Sequence, residues 1–286
     1  MLSGTSNTPM LPSQRLEIFI VELALFVEQI LSYIDIFTVP HMITPTKIEP
    51  DRIKDSFVQV FYESNIPFIP MVGFLYSYLD DLGFIYLSPD GPPPINDVSR
   101  RQFEEVQISF NHLFVNDEKK VKLTLNANKS ITFNCQKEYL GWSKYESLIH
   151  EVLDHLLKNS IMEGYGRVGI RYISEFPNID ILTKLKFDYT LGLNAEIDSG
   201  RFQLTWSDKG CDHILNIANN LKFTESNDVN IQRLSAIDID VINHHSRCSN
   251  IEEIMKTIDD VHLNQKETFF SLLTEAFIKE LNPTYS

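Results

Sequence analysis

Apolar positions along the chain follow two periods. Between 142 and 160 the residues Trp142, Tyr145, Leu148, Ile149, Val152, Leu153, Leu156 and Leu157 recur in steps of three and one. That spacing gathers them on one stripe of a helix that buries a single side. Val72, Leu75, Tyr76 and Leu79 predict a shorter helix over 71–82. Two more helices are expected at about 250–260 and 264–281, the last with Phe269, Phe270, Phe277 and Ile278 on its apolar side. Between the helices the period is two. Residues 55–63 alternate Phe57, Gln59, Phe61 against Val58, Val60, Tyr62. Residues 106–115, 120–126 and 130–135 form three runs separated by the turn-like NDEK and NANK, the pattern of an antiparallel meander. Further strands are expected at 166–176, 191–198, 201–206, 213–223 and 230–242, with Asp198-Ser199-Gly200 as a hairpin turn.

These elements predict an α+β fold: antiparallel meanders packed by amphipathic helices, in two related halves. No βαβαβ series and no glycine fingerprint between strand and helix appears. The proline-rich 88–96 (SPDGPPPIN) marks a boundary, because its prolines cannot continue a helix or central strand. The expected organisation is an N-terminal section at 1–45, a β-α-β part of the core at 46–96, a meander-helix-strand half at 97–190, and a strand-rich half at 191–286 that ends in two helices.

Residues 14–37 (QRLEIFIVELALFVEQILSYIDIF) form an apolar helix in this reading, with Leu16, Phe19, Leu23, Phe26 and Ile30 as its contact residues. Glu17, Glu22 and Glu28 interrupt it, and each acidic residue near mid-bilayer costs roughly 2.5–3.5 kcal/mol. Arg15 alone is a poor cationic start for a signal peptide, and no small-residue cleavage site follows. The expected role is docking or self-association, so the expected partner is a second copy or another protein rather than a membrane.

Charge narrows the function classes. The 286 residues carry 25 Lys+Arg against 39 Asp+Glu, a net −14, and no basic run, which argues against a nucleic acid as partner. Three cysteines, Cys135, Cys211 and Cys248, without a CxxC pair predict reduced thiols and a cytoplasmic location.

Candidate chemistry is sparse. Arg167 and Arg171 stand four apart on a predicted strand and so share a face, either as an anion clamp or as partners of acidic residues on adjacent strands. Asp238 and Asp240, followed by His244, His245 and Cys248, form the densest run of potential ligands. Paired carboxylates could hold a divalent ion in a nuclease or phosphodiesterase, or they could line a solvated strand face. His150 and His155, five apart on a helix, diverge by about 140° and cannot form an i, i+4 metal pair. An HExxH match fails, with Asp154 where the second histidine must stand. GxSxG and P-loop patterns are absent, and Asp208 and Asp212 oppose a thiolate at Cys211. No cofactor is expected.

One combination of residues carries a resemblance: Tyr139-Leu140-Gly141-Trp142, the helix after it, and then Arg167-Val168-Gly169-Ile170-Arg171-Tyr172-Ile173. It resembles a sporadically distributed, functionally uncharacterised prokaryotic family with a Tyr-x-Gly-Trp turn before a helix and an Arg-x-Gly-Leu-Arg-Tyr-Ile-Asn strand after it. Ile170 and Ser174 depart mildly from that pattern. Ile48-Glu49-Pro50-Asp51-Arg52-Ile53 is similar to the family's opening, and Phe269-Phe270 to its closing segment. The resemblance covers roughly 45–282. It implies an accessory component, for example of anti-phage defence, without specifying a reaction. The recurring residues read as a folding signature: Gly141 for a sharp turn, Trp142 and Tyr172 for packing, and Gly169 for a close approach or a bulge. The expected function is a non-catalytic recognition or scaffold subunit acting through protein–protein contacts. The alternative is a metal-dependent nuclease or phosphodiesterase using Asp238 and Asp240, with Arg167 and Arg171 on phosphate.

Overall fold

The computed structural model describes residues 44–87, 111–136, 138–186, 198–223, 232–244 and 247–285. The apolar segment 14–37 with its contact residues, the loop 88–96 and the run 191–197 lie outside the described residues. No helix among the described residues is long and apolar enough to cross a membrane.

Among the described residues, those of period two form nine strands: β1 (Ile53–Glu63), β2 (Ile85–Leu87), β3 (His112–Asn116), β4 (Val121–Asn126), β5 (Ser130–Gln136), β6 (Gly164–Pro177), β7 (Gly200–Asp208), β8 (Cys211–Phe223) and β9 (Gln232–Asn243). They join one antiparallel sheet in the order β2-β3-β4-β5-β1-β6-β9-β8-β7. Strands from all three core sections therefore share a single sheet, with β1 and β6 at its centre.

Cross-strand partners share a face, so the register converts the alternation into rows. One row runs Tyr86, Phe114, Leu123, Phe133, Val58, Ile170, Val241, His213, Trp206 across all nine strands. From Phe114 to His213 every member is buried. The helices cover this face: α1 (Phe68–Asp81), α2 (Trp142–Lys158), α3 (Ile251–Leu272) and the short α4 (Glu275–Glu280). The adjacent row, Ile85, Val115, Lys122, Asn134, Phe57, Arg171, Asp240, Ile214, Thr205, lies on the opposite face, which carries no helix among the described residues.

α2 buries Tyr145, Leu148, Ile149, Val152, Leu153 and Leu156, six of the eight residues of the predicted stripe. Burying each such side chain is worth roughly 1.5–3 kcal/mol, which dwarfs the helix's weak capping. Gly141 at its start has φ 81°, a left-handed conformation that glycine adopts without strain. α1 starts at Phe68, ahead of the expected Met71. Pro70 falls in its first turn, where backbone N–H groups have no helical partner to lose.

Two expectations need correction. The C-terminal helices divide at Leu273, not near 261–263, and α3 runs unbroken for 22 residues. Nothing in 261–263 breaks a helix. The break comes where Leu273 turns extended to bridge Leu185, and Thr274 then caps α4 by accepting from the Phe277 N–H at 3.3 Å. The strand expected to lead into the Asp198-Ser199-Gly200 turn lies outside the described residues; a further tight hairpin, not anticipated, joins β7 to β8 at Lys209-Gly210, with φ 50° and 75°, and a lysine in its first position hides it from composition rules. Lastly, Gly169 stands in regular ladder, where an added methyl would meet only Asp240 Oδ1 and Ile242 Cγ1, each at 3.9 Å. The close backbone approach is at Gly164, where a methyl would lie 2.9 Å from the Cys248 carbonyl oxygen.

Candidate functional site

Two polar constellations stand on opposite sides of β6, because alternate residues of that strand point to opposite faces.

On the helix-free face, Arg167 and Arg171 come from β6 and Asp238 and Asp240 from the adjacent β9. Arg171 donates from Nε to Asp238 Oδ1 at 2.8 Å and from Nη2 to Oδ2 at 2.7 Å. Asn216 Nδ2 on β8 donates to the same Oδ2 at 3.2 Å. The two-point fork fixes both side chains. Each guanidinium also lies over a ring of β1: Arg171 6.0 Å from the Phe57 centroid and Arg167 4.9 Å from that of Phe61. Asp240 sits opposite Arg171 in register, and burial pushes its carboxyl above the ordinary range, with the two arginines pulling the other way. A shallow groove of about 540 Å³ opens beside the pair, bounded by Arg171, Ile173, Arg201, Gln203, Asn216 and Asp238.

The sequence brings these four residues to one face, and the geometry engages Arg171 and Asp238 with each other. The rest of the ligand run disperses. His244 Nε2 meets Asp212 Oδ2 at 2.9 Å, and Cys248 is buried with its thiol 3.2 Å from Glu253 Oε2. His245 lies outside the described residues. Among the described residues no group of three or more His, Cys, Asp or Glu is arranged to hold a metal ion.

The second constellation lines a cleft of about 530 Å³ between the segment leading into β1, the Tyr139–Trp142 turn, β6 and α3. The Trp142 and His262 rings stack face to face, 3.7 Å between centroids and 8° between planes. Trp142 Nε1 donates to Asp259 Oδ1 at 3.0 Å. The hydroxyls of Tyr139 and Tyr172 are 2.9 Å apart, and the Tyr172 hydroxyl is 3.2 Å from His262 Nδ1. Burial, aided by the charge of Lys266, lowers the His262 pKa to about 3. The imidazole is therefore neutral at ordinary pH, and burial keeps both phenols protonated. With one proton per hydroxyl, the donors of the Tyr139–Tyr172–His262 chain all point the same way.

Lys266, one helical turn beyond His262, also lines the cleft and has no hydrogen-bond or ion-pair partner among the described residues. Burial lowers its pKa. Asp51 lines the same cleft and accepts from the Ile53 N–H at 2.8 Å, while burial raises its carboxyl. Sequence reasoning missed Asp51, His262 and Lys266 as site residues. His262 and Lys266 belong to an ordinary amphipathic helix, and only the i, i+4 spacing of two basic residues beside Phe269-Phe270 signals a shared face. The four segments that carry the resemblance all meet here: Ile48, Asp51 and Ile53; Tyr139, Gly141 and Trp142; Tyr172; and Phe269 with Phe270.

No protein-family model and no curated protein sequence matches the chain.

Proposed function

We propose that the protein is a recognition or scaffold subunit that acts through protein–protein contacts, in a prokaryotic accessory assembly of the anti-phage type. The observation that carries this reading is the centre of the helix-free face, where Arg171 lies over Phe57 and Arg167 over Phe61. Arginine and aromatic side chains dominate the energetic centres of protein interfaces, and here they are held in place before any partner arrives. Half-buried Ile173 and Ile214 extend that surface, with no helix among the described residues to cover them. Residues 14–37 supply a second docking element, for a further copy or another protein.

The test is mass in solution and partner capture for the intact chain, a chain lacking residues 1–40, and the variants Ile173→Lys and Ile214→Lys. The reading expects self-association or a bound protein to be lost in at least one variant that stays folded. Unchanged mass and unchanged partners in all three sink it.

The rival assignment, a metal-dependent nuclease or phosphodiesterase, draws on Asp238 and Asp240 sharing one face. It requires Asp238 to exchange Arg171 for a cation. Thermal melts with Mg²⁺ and Mn²⁺ decide: stabilisation that disappears in Asp238→Asn and Asp240→Asn moves the assignment there.

A further inference from the structure

We infer that the cleft between β6 and α3 is a binding site for a small organic anion, whose flat apolar body lies against Leu140, Trp142 and Phe269 and whose acidic group meets Lys266 Nζ. This goes beyond the protein-contact reading and does not rest on it, since the cleft is on the other side of the sheet.

Shape is the first reason. A cleft of about 530 Å³ falls within the range of pockets that enclose one small molecule, roughly 300–1,000 Å³. By area its walls are mainly apolar, with Asp51, Ser174, His262, Gln265 and Lys266 among the polar groups set into them, the mixture such sites use.

Charge is the second. The chain carries 39 acidic residues against 25 basic ones, so a lysine within an apolar wall has carboxylates to choose from. Lys47, Lys184, Lys209 and Lys256 each pair with one, while lysines such as Lys54, Lys119 and Lys144 are exposed and served by water. Lys266 pairs with none among the described residues, and burial alone is what shifts it. A half-buried ammonium without a counter-ion is costly, and an incoming anion removes that cost.

Pre-organisation is the third. Trp142 is fixed on one side by the His262 stack and at its indole N–H by Asp259. The Tyr139–Tyr172–His262 chain ties the turn to β6 and α3. A wall held this firmly loses little freedom when a ligand arrives. The neutral His262 adds no cation, and the other lysine of the lining, Lys47, is engaged by Glu49, so Lys266 is the anchor without a carboxylate partner among the described residues. Asp51, already holding the Ile53 N–H, is left to accept from a hydroxyl or amine of the ligand and so sets its orientation. The anionic group could be a phosphate, as in a mononucleotide, or the carboxylate of an aromatic acid; both present a flat ring and an acidic end.

The probe is 8-anilinonaphthalene-1-sulfonate, a flat aromatic sulfonate, titrated into full-length protein carrying Trp206→Phe. The chain has two tryptophans, so this leaves Trp142 as the reporter. The expected result is saturable quenching of Trp142 emission with one-site stoichiometry. Lys266→Met weakens it about tenfold, the ratio that one charge-assisted hydrogen bond supplies, and Lys266→Arg restores it. N-phenyl-1-naphthylamine, the same rings without the sulfonate, shows equal affinity for the parent and Lys266→Met, which separates loss of charge from loss of fold. Adenosine monophosphate and indole-3-acetate are then added as displacers, and the one that competes names the anion. The proposal is overturned by the absence of saturable quenching, by equal sulfonate affinity in the parent and Lys266→Met, or by failure of both displacers.

Discussion

The two faces of this sheet are made of alternate residues in the same strands, yet they treat polar groups differently. On the helix-free face one charge pair is matched across strands, Arg171 with Asp238, and His244 Nε2 meets Asp212 Oδ2, which also accepts from Ser207 at 2.6 Å; Asp240 and the Arg167 Nε have no hydrogen-bond partner among the described residues but lie beside opposite charge. On the helix-covered side, where α3 meets β6, an imidazole is held neutral and an ammonium goes unmatched among the described residues. Matched pairs cost little to keep and contribute to strand register. Unmatched groups in an apolar cleft cost stability, which is the usual mark of a site kept for something other than folding.

The contrast should be widest in the rows themselves. Phe133 and Thr124 are on adjacent strands and on opposite faces. Phe133 is fully buried among aliphatic and aromatic neighbours, so Phe133→Ala should cost about 3–5 kcal/mol. Thr124→Ala on the helix-free face should cost under about 1 kcal/mol. Denaturant titrations of the two variants measure both numbers. Similar losses would mean that the second face is a core as well.

The next effect is a dependence on pH. His262 has a folded pKa near 3 against an ordinary 6.5. Below pH 6.5 the unfolded chain binds a proton that the folded chain refuses. Stability is therefore unaffected by His262 above pH 6.5 and falls as pH drops from there towards 3. The loss should approach roughly 3 kcal/mol by pH 4. His262→Phe keeps a ring on Trp142 and removes the titration, so the difference in stability between parent and variant should change by that amount between pH 7 and pH 4. A flat difference would mean that water reaches the imidazole, and the cleft would then lack the dry wall proposed for it.

How much of this was legible in the sequence differs between the two sides. The row architecture was visible, because a period of two in residues such as 57–62 and a stripe such as 142–157 follow from geometry alone. Arg167, Arg171, Asp238 and Asp240 could be assigned to shared faces by counting. That Arg171 would choose Asp238 over Asp240 could not, because the choice depends on how β6 and β9 are aligned. The cleft was harder still. Tyr139, Trp142 and Tyr172 stood out as large packing residues, but His262 and Lys266 are ninety or more positions from the nearest of them, and a helix hydrophobic pattern says nothing about what faces it. The position of the α3 break was missed for a related reason: Leu273 leaves the helix to pair with Leu185, a long-range contact with no local signature.

A smaller effect concerns the matched pair. The Arg171 side chain is 44% exposed and that of Asp238 14%, so water screens part of the attraction. A double-mutant cycle with Arg171→Met and Asp238→Asn should give a coupling of about 1 kcal/mol. A coupling near zero would remove the pair as a register lock and return Arg171 to the list of groups available for a ligand.

The smallest expected change is at Gly169, and its sign carries the information. The residue lies between the two arginines on the helix-free face, in regular ladder, and its nearest prospective contacts are Asp240 Oδ1 and Ile242 Cγ1 at 3.9 Å. An alanine methyl fits there at ordinary van der Waals distance. The unfolded chain loses freedom when glycine is replaced, so Gly169→Ala should stabilise by about 0.4–1 kcal/mol. The methyl also covers part of the Asp240 carboxyl, which burial already pushes upward. That carboxyl contributes most to stability when protonated, so the gain from Gly169→Ala should be larger below its folded pKa than at pH 7. A destabilisation at both pH values would require something pressed against this face with no room for one carbon. The helix-free surface would then be occupied within the protein itself, and the protein-contact reading would have to move to another part of the molecule.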